Sequence, residues 1–280
     1  MAAGFRAPGL AAAMVVTGCM LIGTTRSGCA EEGAGLQPLI EDLVAANHIL
    51  YHHGVVDGFG HVSFRSPANS DRFYMAAAVA PGRVTAGDII ELDLDGKVVG
   101  ERSRPTYSER FIHAEIYRAR SDVNAVIHTH SPTVIPFGVT GVALRPIIHS
   151  AAFLYTGVPL FDTQKIAGAR SPLVNNPDLG KALAATLGGN AVVLMRGHGD
   201  MIVAGDIRAA ASRAIYTEVD ARLLLQAISL GKPIEYISPE EGQAMEAEAS
   251  ANRRGSSHGT DRIWQMWLDE ASGQATPTEK

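Results

Sequence analysis

Ser108 to His130, SERFIHAEIYRARSDVNAVIHTH, opens with helix-forming residues and closes on an apolar run, Ala125-Val126-Ile127, with His128 and His130 in alternation. Alternation of this kind is strand periodicity. Strand neighbours two apart share one face, so the two imidazoles project together from the end of a buried strand. Such a pair is a two-toothed clamp for a borderline divalent cation and needs a third ligand from elsewhere. His198 is the candidate. It comes after a second apolar strand, Ala191 to Met195, and sits between Gly197 and Gly199, which let the backbone crowd a site.

These residues also carry a resemblance. A Glu nineteen positions before the first His of H-x-H, a long interval, an apolar strand ending in G-H-G and an upstream G-H-V-S-F-R together resemble the class II aldolase/adducin family, from about Leu36 to about Leu230. The resemblance implies a three-layer α/β/α fold with a mixed, largely antiparallel central sheet, and a ring-like homotetramer with sites at subunit interfaces. It also implies a divalent metal on His128, His130 and His198, zinc first, with manganese, iron or cobalt accepted by the same donors. Glu109 would be the acid/base.

The chain has 280 residues, of which 46% are hydrophobic and 19% charged, enough apolar material for one sizeable core. A formal charge of −5 and the lack of a long basic run argue against nucleic acid as a partner. The partner expected is a small molecule. Residues 1–30 read as an export signal: Arg6 is the positive start, Leu10 to Gly23 is uncharged, and Gly28-Cys29-Ala30 suits cleavage before Glu31. That expectation places the mature protein outside the cytoplasm, secreted or periplasmic. Val16-Thr17-Gly18-Cys19 offers the alternative of a lipid anchor at Cys19. An apolar N-terminus on a cytoplasmic enzyme is the remaining reading. Both cysteines lie in this segment, so cleavage after Ala30 leaves no thiol for disulfides, nucleophilic catalysis or metal ligation.

Residues 31–250 then form the catalytic unit, and 251–280 a linker with a C-terminal amphipathic helix. Helical spacing covers Gln37 to His53, and strands are expected at Arg72–Ala77 and Asp88–Leu94, the second ending in an Asp95-Gly96 hairpin turn. In the glycine-rich turn upstream of both strands, Gly60, His61, Ser63 and Arg65 match the family's substrate-holding G-N-x-S-x-R, with His61 in place of Asn. A tight turn with an exposed His61 is the alternative. Sugar-phosphate aldolases of the family carry a Thr/Ser-Gly pair near Ala78-Val79-Ala80, where this chain offers alanines. A phosphate dianion needs donors, and alanine side chains have none.

Ser108 is expected to cap the helix over 109–120, placing Glu109 in its first turn, and is counted with the substrate contacts. His113 and Glu115 on that helix read as surface or intersubunit residues. Ser131-Pro132 reads as another helix start. His149 and Tyr155, on an apolar loop, either position and protonate substrate or pack the loop. Arg196 either clamps a substrate carboxylate or pairs with a nearby acid. Asp206 caps a helix to Leu230 with Arg213, Glu218 and Arg222 outward, Asn252–Thr260 reads as a linker, and Trp264 and Trp267 share one helix face.

The chemistry expected is a metal-dependent carbon–carbon lyase. The G-F-G-H-V-S turn and the R-G-H-G apex are similar to family members that decarboxylate hydroxylated aromatic or heteroaromatic acids. The alternatives are an aldolase on a non-phosphorylated carbonyl compound and a non-catalytic adducin-like interaction module.

Overall fold

The computed structural model describes residues 1–4, 27–100, 104–168, 171–255 and 258–273. Cys19 and most of the expected leader lie outside them. Helices are α1 Ser27–His52, α2 Arg110–Ala119, α3 Phe137–Thr140, α4 Thr163–Ala167, α5 Pro177–Leu187, α6 Ile207–Ser229, α7 Pro239–Gly255 and α8 His258–Ala271. Strands are β1 His61–Arg65, β2 Arg72–Ala76, β3 Ile89–Asp93, β4 Ala125–Thr129, β5 Leu160–Phe161, β6 Val192–Met195 and β7 Gly199–Ala204.

The strands form one seven-stranded sheet in the order β3-β2-β1-β4-β7-β6-β5, antiparallel at every pairing except β5 with β6. Alternation sends Val62, Phe64, Ala125, Ile127 and Ile202 to one face, into a core with α1, α6 and α8. Phe73, Met75, Val126, Val193 and Met201 go to the other, against Ile112 and Ile116 of α2 and Leu183 and Leu187 of α5. Three layers result, as expected. Every fully buried Leu or Ile in these cores contributes about 1.5–3 kcal/mol relative to exposure.

Register decides the site. β4 pairs His128 with His61 of β1 on one side and with Met201 of β7 on the other, so the N-terminal ends of β1 and β7 flank the C-terminal end of β4. Two glycines allow the approach. A Cβ on Gly199 would lie 1.9 Å from the Thr129 carbonyl oxygen, and one on Gly60 would lie 2.6 Å from Cβ of Val56 and 3.1 Å from the His128 carbonyl.

Several expectations are corrected. Ser108 is exposed and caps nothing: Glu109 itself takes the N-cap position of α2, without a side-chain capping bond. The helix expected at Ser131 begins at Phe137. Glu218 satisfies the preceding turn by accepting from the Ser131 and Thr133 hydroxyls and from the Thr133 N–H. Glu218 is therefore buried and not outward. The expected linker is largely helical, because α7 runs to Gly255 and α8 starts at His258. Asp206 does cap α6, accepting from the Ala209 N–H, and Trp264 and Trp267 are buried against the body. Among the described residues no helix is long and apolar enough to cross a membrane.

Candidate metal centre

Three imidazoles converge where β4 ends and β7 begins. The ring centroids of His128, His130 and His198 are 4.9–5.1 Å apart, and one ligand-type nitrogen from each lies within 4.8 Å of the others. The orientation of each ring is fixed from behind. Nδ1 of His128 donates to the Asp200 carbonyl (3.2 Å), Nδ1 of His198 to the Pro172 carbonyl (3.2 Å) and Nδ1 of His130 to the Asp57 carboxylate (3.2 Å). A proton on Nδ1 leaves the lone pair of a neutral ring on Nε2, which is the form a metal ion binds. Nε2 of His128 and of His130 are buried and meet no hydrogen-bond partner among the described residues. Unpaired buried nitrogens are costly, and a divalent cation is the partner that three converging lone pairs fit.

Glu109 faces the same point. Its Oε2 is 3.6 Å from Nε2 of His128 and 3.4 Å from Nε2 of His198, while Oε1 accepts from the Val174 N–H at 2.8 Å. Burial pushes the carboxyl upward, but the His198 hydrogen bond, the charges that His128 and His198 carry at the low pH where Glu109 titrates and the Val174 N–H outweigh it and hold it at about 2. Burial lowers His128 to about 3 despite Glu109, so the ring is neutral at ordinary pH. In His198 burial works against the charged ring, and the Glu109 carboxylate more than offsets it.

Asp57 was not singled out in the sequence. Burial raises its carboxyl, yet the Phe59 N–H and His130 together hold it below the ordinary range. Asp57 thus ties the glycine-rich turn to His130, and the ring of Phe59, 73% exposed, stands 6.2 Å from the His130 ring at the mouth of the site.

Behind the metal-facing side, His61 and Ser63 are buried and not on the surface. His61 Nδ1 is 2.7 Å from Nε2 of His113, Ser63 Oγ is 2.6 Å from Nδ1 of His113, and Ser63 Oγ is 2.7 Å from the Tyr117 hydroxyl. His113 and Glu115, expected on the surface or between subunits, are both buried within the chain. A spacing signal existed: Glu109, His113 and Tyr117 recur every four residues and so share one face of α2. Burial lowers His113 to about 3 and His61 well below its ordinary value, and it raises the Tyr117 hydroxyl.

Other expected contacts are not brought to this point. Arg65 lies at the opposite end of β1 and is spent on the carbonyls of Val123, Ser70, Tyr117 and Arg120. Arg196 makes the ion pair, at 2.8 Å to Asp162, and a hydrogen bond to Gln164. Gly60 serves close packing. Tyr155 packs on α7, where a Cβ on Gly242 would lie 2.2 Å from its Cβ, and lines a cavity with Asn190, Ala204 and Gly205 at the far end of the sheet. His149 is exposed beside α6 and α7, in a cavity with Ser212, Tyr216 and Glu248. Neither reaches this chain's own histidines.

Comparison with known proteins agrees with this geometry. Residues 41–225 match the model of the Class II Aldolase and Adducin N-terminal domain. Decarboxylase tropJ of Talaromyces stipitatus is 35% identical over 82% of this chain and 93% of its own length. The 3,4-dihydroxyphthalate decarboxylase of Arthrobacter keyseri is 34% identical over 68% of this chain and 79% of its own. Among solved structures, L-fuculose 1-phosphate aldolase from Glaciozyma antarctica superposes with a TM-score of 0.69 at 22% identity, covering 87% of this chain and 93% of that one, which shows the shared fold. The chain belongs to the class II aldolase/adducin family.

Proposed function

We propose that this chain is a metal-dependent carbon–carbon lyase that decarboxylates a hydroxylated aromatic or heteroaromatic carboxylic acid. The observation that carries the reading is the convergence of three oriented imidazoles on one buried carboxylate, Glu109. Similarity to two decarboxylases and the alanines at positions 78 and 80, where family aldolases place donors for phosphate, favour decarboxylation over sugar-phosphate cleavage.

His128, His130 and His198 would hold a divalent ion, zinc in this reading, and it would supply Lewis-acid chemistry toward an acid with a hydroxyl beside its carboxylate. Glu109 meets the substrate as a carboxylate. It takes the substrate hydroxyl proton and delivers it to the ring carbon that carries the carboxylate. The electron pair of the breaking bond returns to the ring as carbon dioxide leaves, and the remaining phenolate recovers a proton from solvent. One proton is consumed per carbon dioxide released, and Glu109 ends as it began.

A second reading, aldol cleavage, is favoured by the 30% identity to 5-deoxy-D-ribulose 1-phosphate aldolase of Bacillus thuringiensis over 52% of this chain. A panel of hydroxy-aromatic acids and aldols with zinc-loaded protein separates them. Carbon dioxide from an aromatic acid supports decarboxylation, and aldehyde release with no carbon dioxide overturns it. An adducin-like module without chemistry would hold well under one equivalent of metal.

The proposal extends to a homotetramer in which exposed His149 serves a neighbouring copy's site. Mixing inactive His128→Ala and His149→Ala chains should then restore part of the activity, and no recovery contradicts it. It extends also to export, with a mature N-terminus at Glu31, or at a lipidated Cys19. An exported form that retains Met1 contradicts that processing.

A further inference from the structure

We propose that the buried chain Tyr117–Ser63–His113 fixes a proton on Nε2 of His61, so that His61 meets a bound aromatic acid as a hydrogen-bond donor and not as a fourth metal ligand. This rests on the site reading above for its ligand and on the hydrogen bonds alone for its direction.

Distances by themselves leave His61 ambiguous. Ligand-type atoms of His61, Glu109 and His128 also lie within 4.8 Å of one another, an arrangement that could hold a cation. Proton order separates the two roles. Consider the closed end first. Tyr117 is 2% exposed, and among the described residues its hydroxyl has one side-chain hydrogen bond, to Ser63 Oγ. The other polar groups acting on the phenol are the Arg65 guanidinium, 4.8 Å from the ring centroid, and the Val126 N–H, and both can only donate. Among the described residues, Ser63 is thus the acceptor the Tyr117 proton has.

The order passes from link to link. Ser63, accepting from Tyr117, turns its own proton to Nδ1 of His113. A neutral His113 then carries its proton on Nε2, which donates to Nδ1 of His61 at 2.7 Å. His61, buried and neutral, is left with its proton on Nε2, the nitrogen not held by His113. The opposite order would strand a buried hydroxyl proton without an acceptor, a disadvantage of about tenfold to a hundredfold. The ring is also held in place, 4.5 Å from the Tyr107 ring and 5.1 Å from that of His128.

A donor in that position suits an anionic oxygen. The chemical class it selects is a carboxylate with an adjacent hydroxyl on an aromatic ring, one oxygen of which accepts from His61. Tyr117, Ser63 and His113 are positioning residues that touch no substrate.

The test uses full-length, zinc-loaded protein with ¹⁵N-labelled histidine, read by long-range ¹H–¹⁵N NMR. His61 and His113 should both show the Nε2–H tautomer, and Nδ1–H on His61 would overturn the proposal. Tyr117→Phe removes the proton that orders the chain, so His61 should become a mixture of tautomers with zinc content unchanged. An unmixed Nε2–H signal there would overturn the role of Tyr117. With 2-hydroxybenzoate as probe, His61→Leu should bind about 10–100-fold more weakly and His61→Gln, whose amide reaches the Nε2 position, should recover part of the loss. Zinc loss in His61→Leu would make the residue a ligand and overturn the proposal. Failure of 2-hydroxybenzoate to bind wild-type protein would count against the substrate class alone, since the tautomer spectrum still decides the rest.

Discussion

The two ends of the central sheet hold similar residue types and use them in opposite ways. At one end, Arg65 and Arg120 are surrounded by acceptors: Arg65 donates to four backbone carbonyls, and Arg120 donates to those of Gly188 and Asn190 and to Asp122. At the other end, Nε2 of His128 and of His130 are buried with no hydrogen-bond partner among the described residues, although their Nδ1 atoms are engaged. A saturated polar group closes structure. Converging unsaturated groups mark a place where something else must bind. Convergence is the necessary part, because among the described residues Oδ1 of Asn47 and Oδ2 of Asp220 are also unpartnered and stand outside any such cluster.

The contrast can be broken most sharply at His128. Replacing it with alanine removes one of three donors and should abolish both stoichiometric zinc and turnover, as elemental analysis of the purified variant would show. Full occupancy would contradict the assignment. At the saturated end the effect should fall on stability instead. Arg65→Met removes the Arg65 donor from four carbonyls and should cost about 3 kcal/mol in denaturant unfolding, while zinc content should be unchanged, because Arg65 lies about 13 Å along β1 from His61 at the other end of the strand.

Asp57→Asn probes the support behind the metal end. It keeps side-chain size but weakens the grip on His130, and zinc affinity should fall about 10–100-fold in a chelator competition. Unchanged affinity would mean that the 3.2 Å contact to His130 is incidental.

Asp220 is the intermediate case. One oxygen accepts from the Ile147 and Ile148 N–H groups, the other has no partner among the described residues, and burial raises the carboxyl from 3.8 to about 6. Because the folded value lies above the unfolded one, the proton it holds stabilises the fold below about pH 4, and that contribution is lost as pH rises through about 6. Asp220→Asn should flatten stability across this window by on the order of 1–2 kcal/mol, measured by unfolding at pH 4, 5, 6 and 7. An unchanged slope would assign the titration to another group.

How much of this is legible in the sequence depends on whether two periodicities agree. His128 and His130 stand out because an apolar strand carries them in alternation, and His198 because glycines flank it after another strand. Asp206 and the Trp264–Trp267 pair are equally readable, since capping and helical spacing are local. His113 and Glu218 mislead for one reason: a charged or polar residue on a helix reads as outward unless its partner is known. Their partners lie 50 and 87 positions away, at Ser63 and Ser131. Arg65 misleads similarly and Arg196 stays open between two readings, because a motif match does not show which acceptors surround a guanidinium. At 131–136, Pro132 signals a helix start, and only Glu218 explains why the segment stays a turn.

Glu109→Gln tests the central claim most directly, with zinc content, binding of the acid and turnover measured on one preparation. The change preserves side-chain size and leaves His128, His130 and His198 intact. Zinc should remain at one equivalent and substrate should still bind, while turnover falls on the order of 10²–10⁴-fold because only proton transfer is lost. Turnover near wild type in the fully metallated variant would contradict the account.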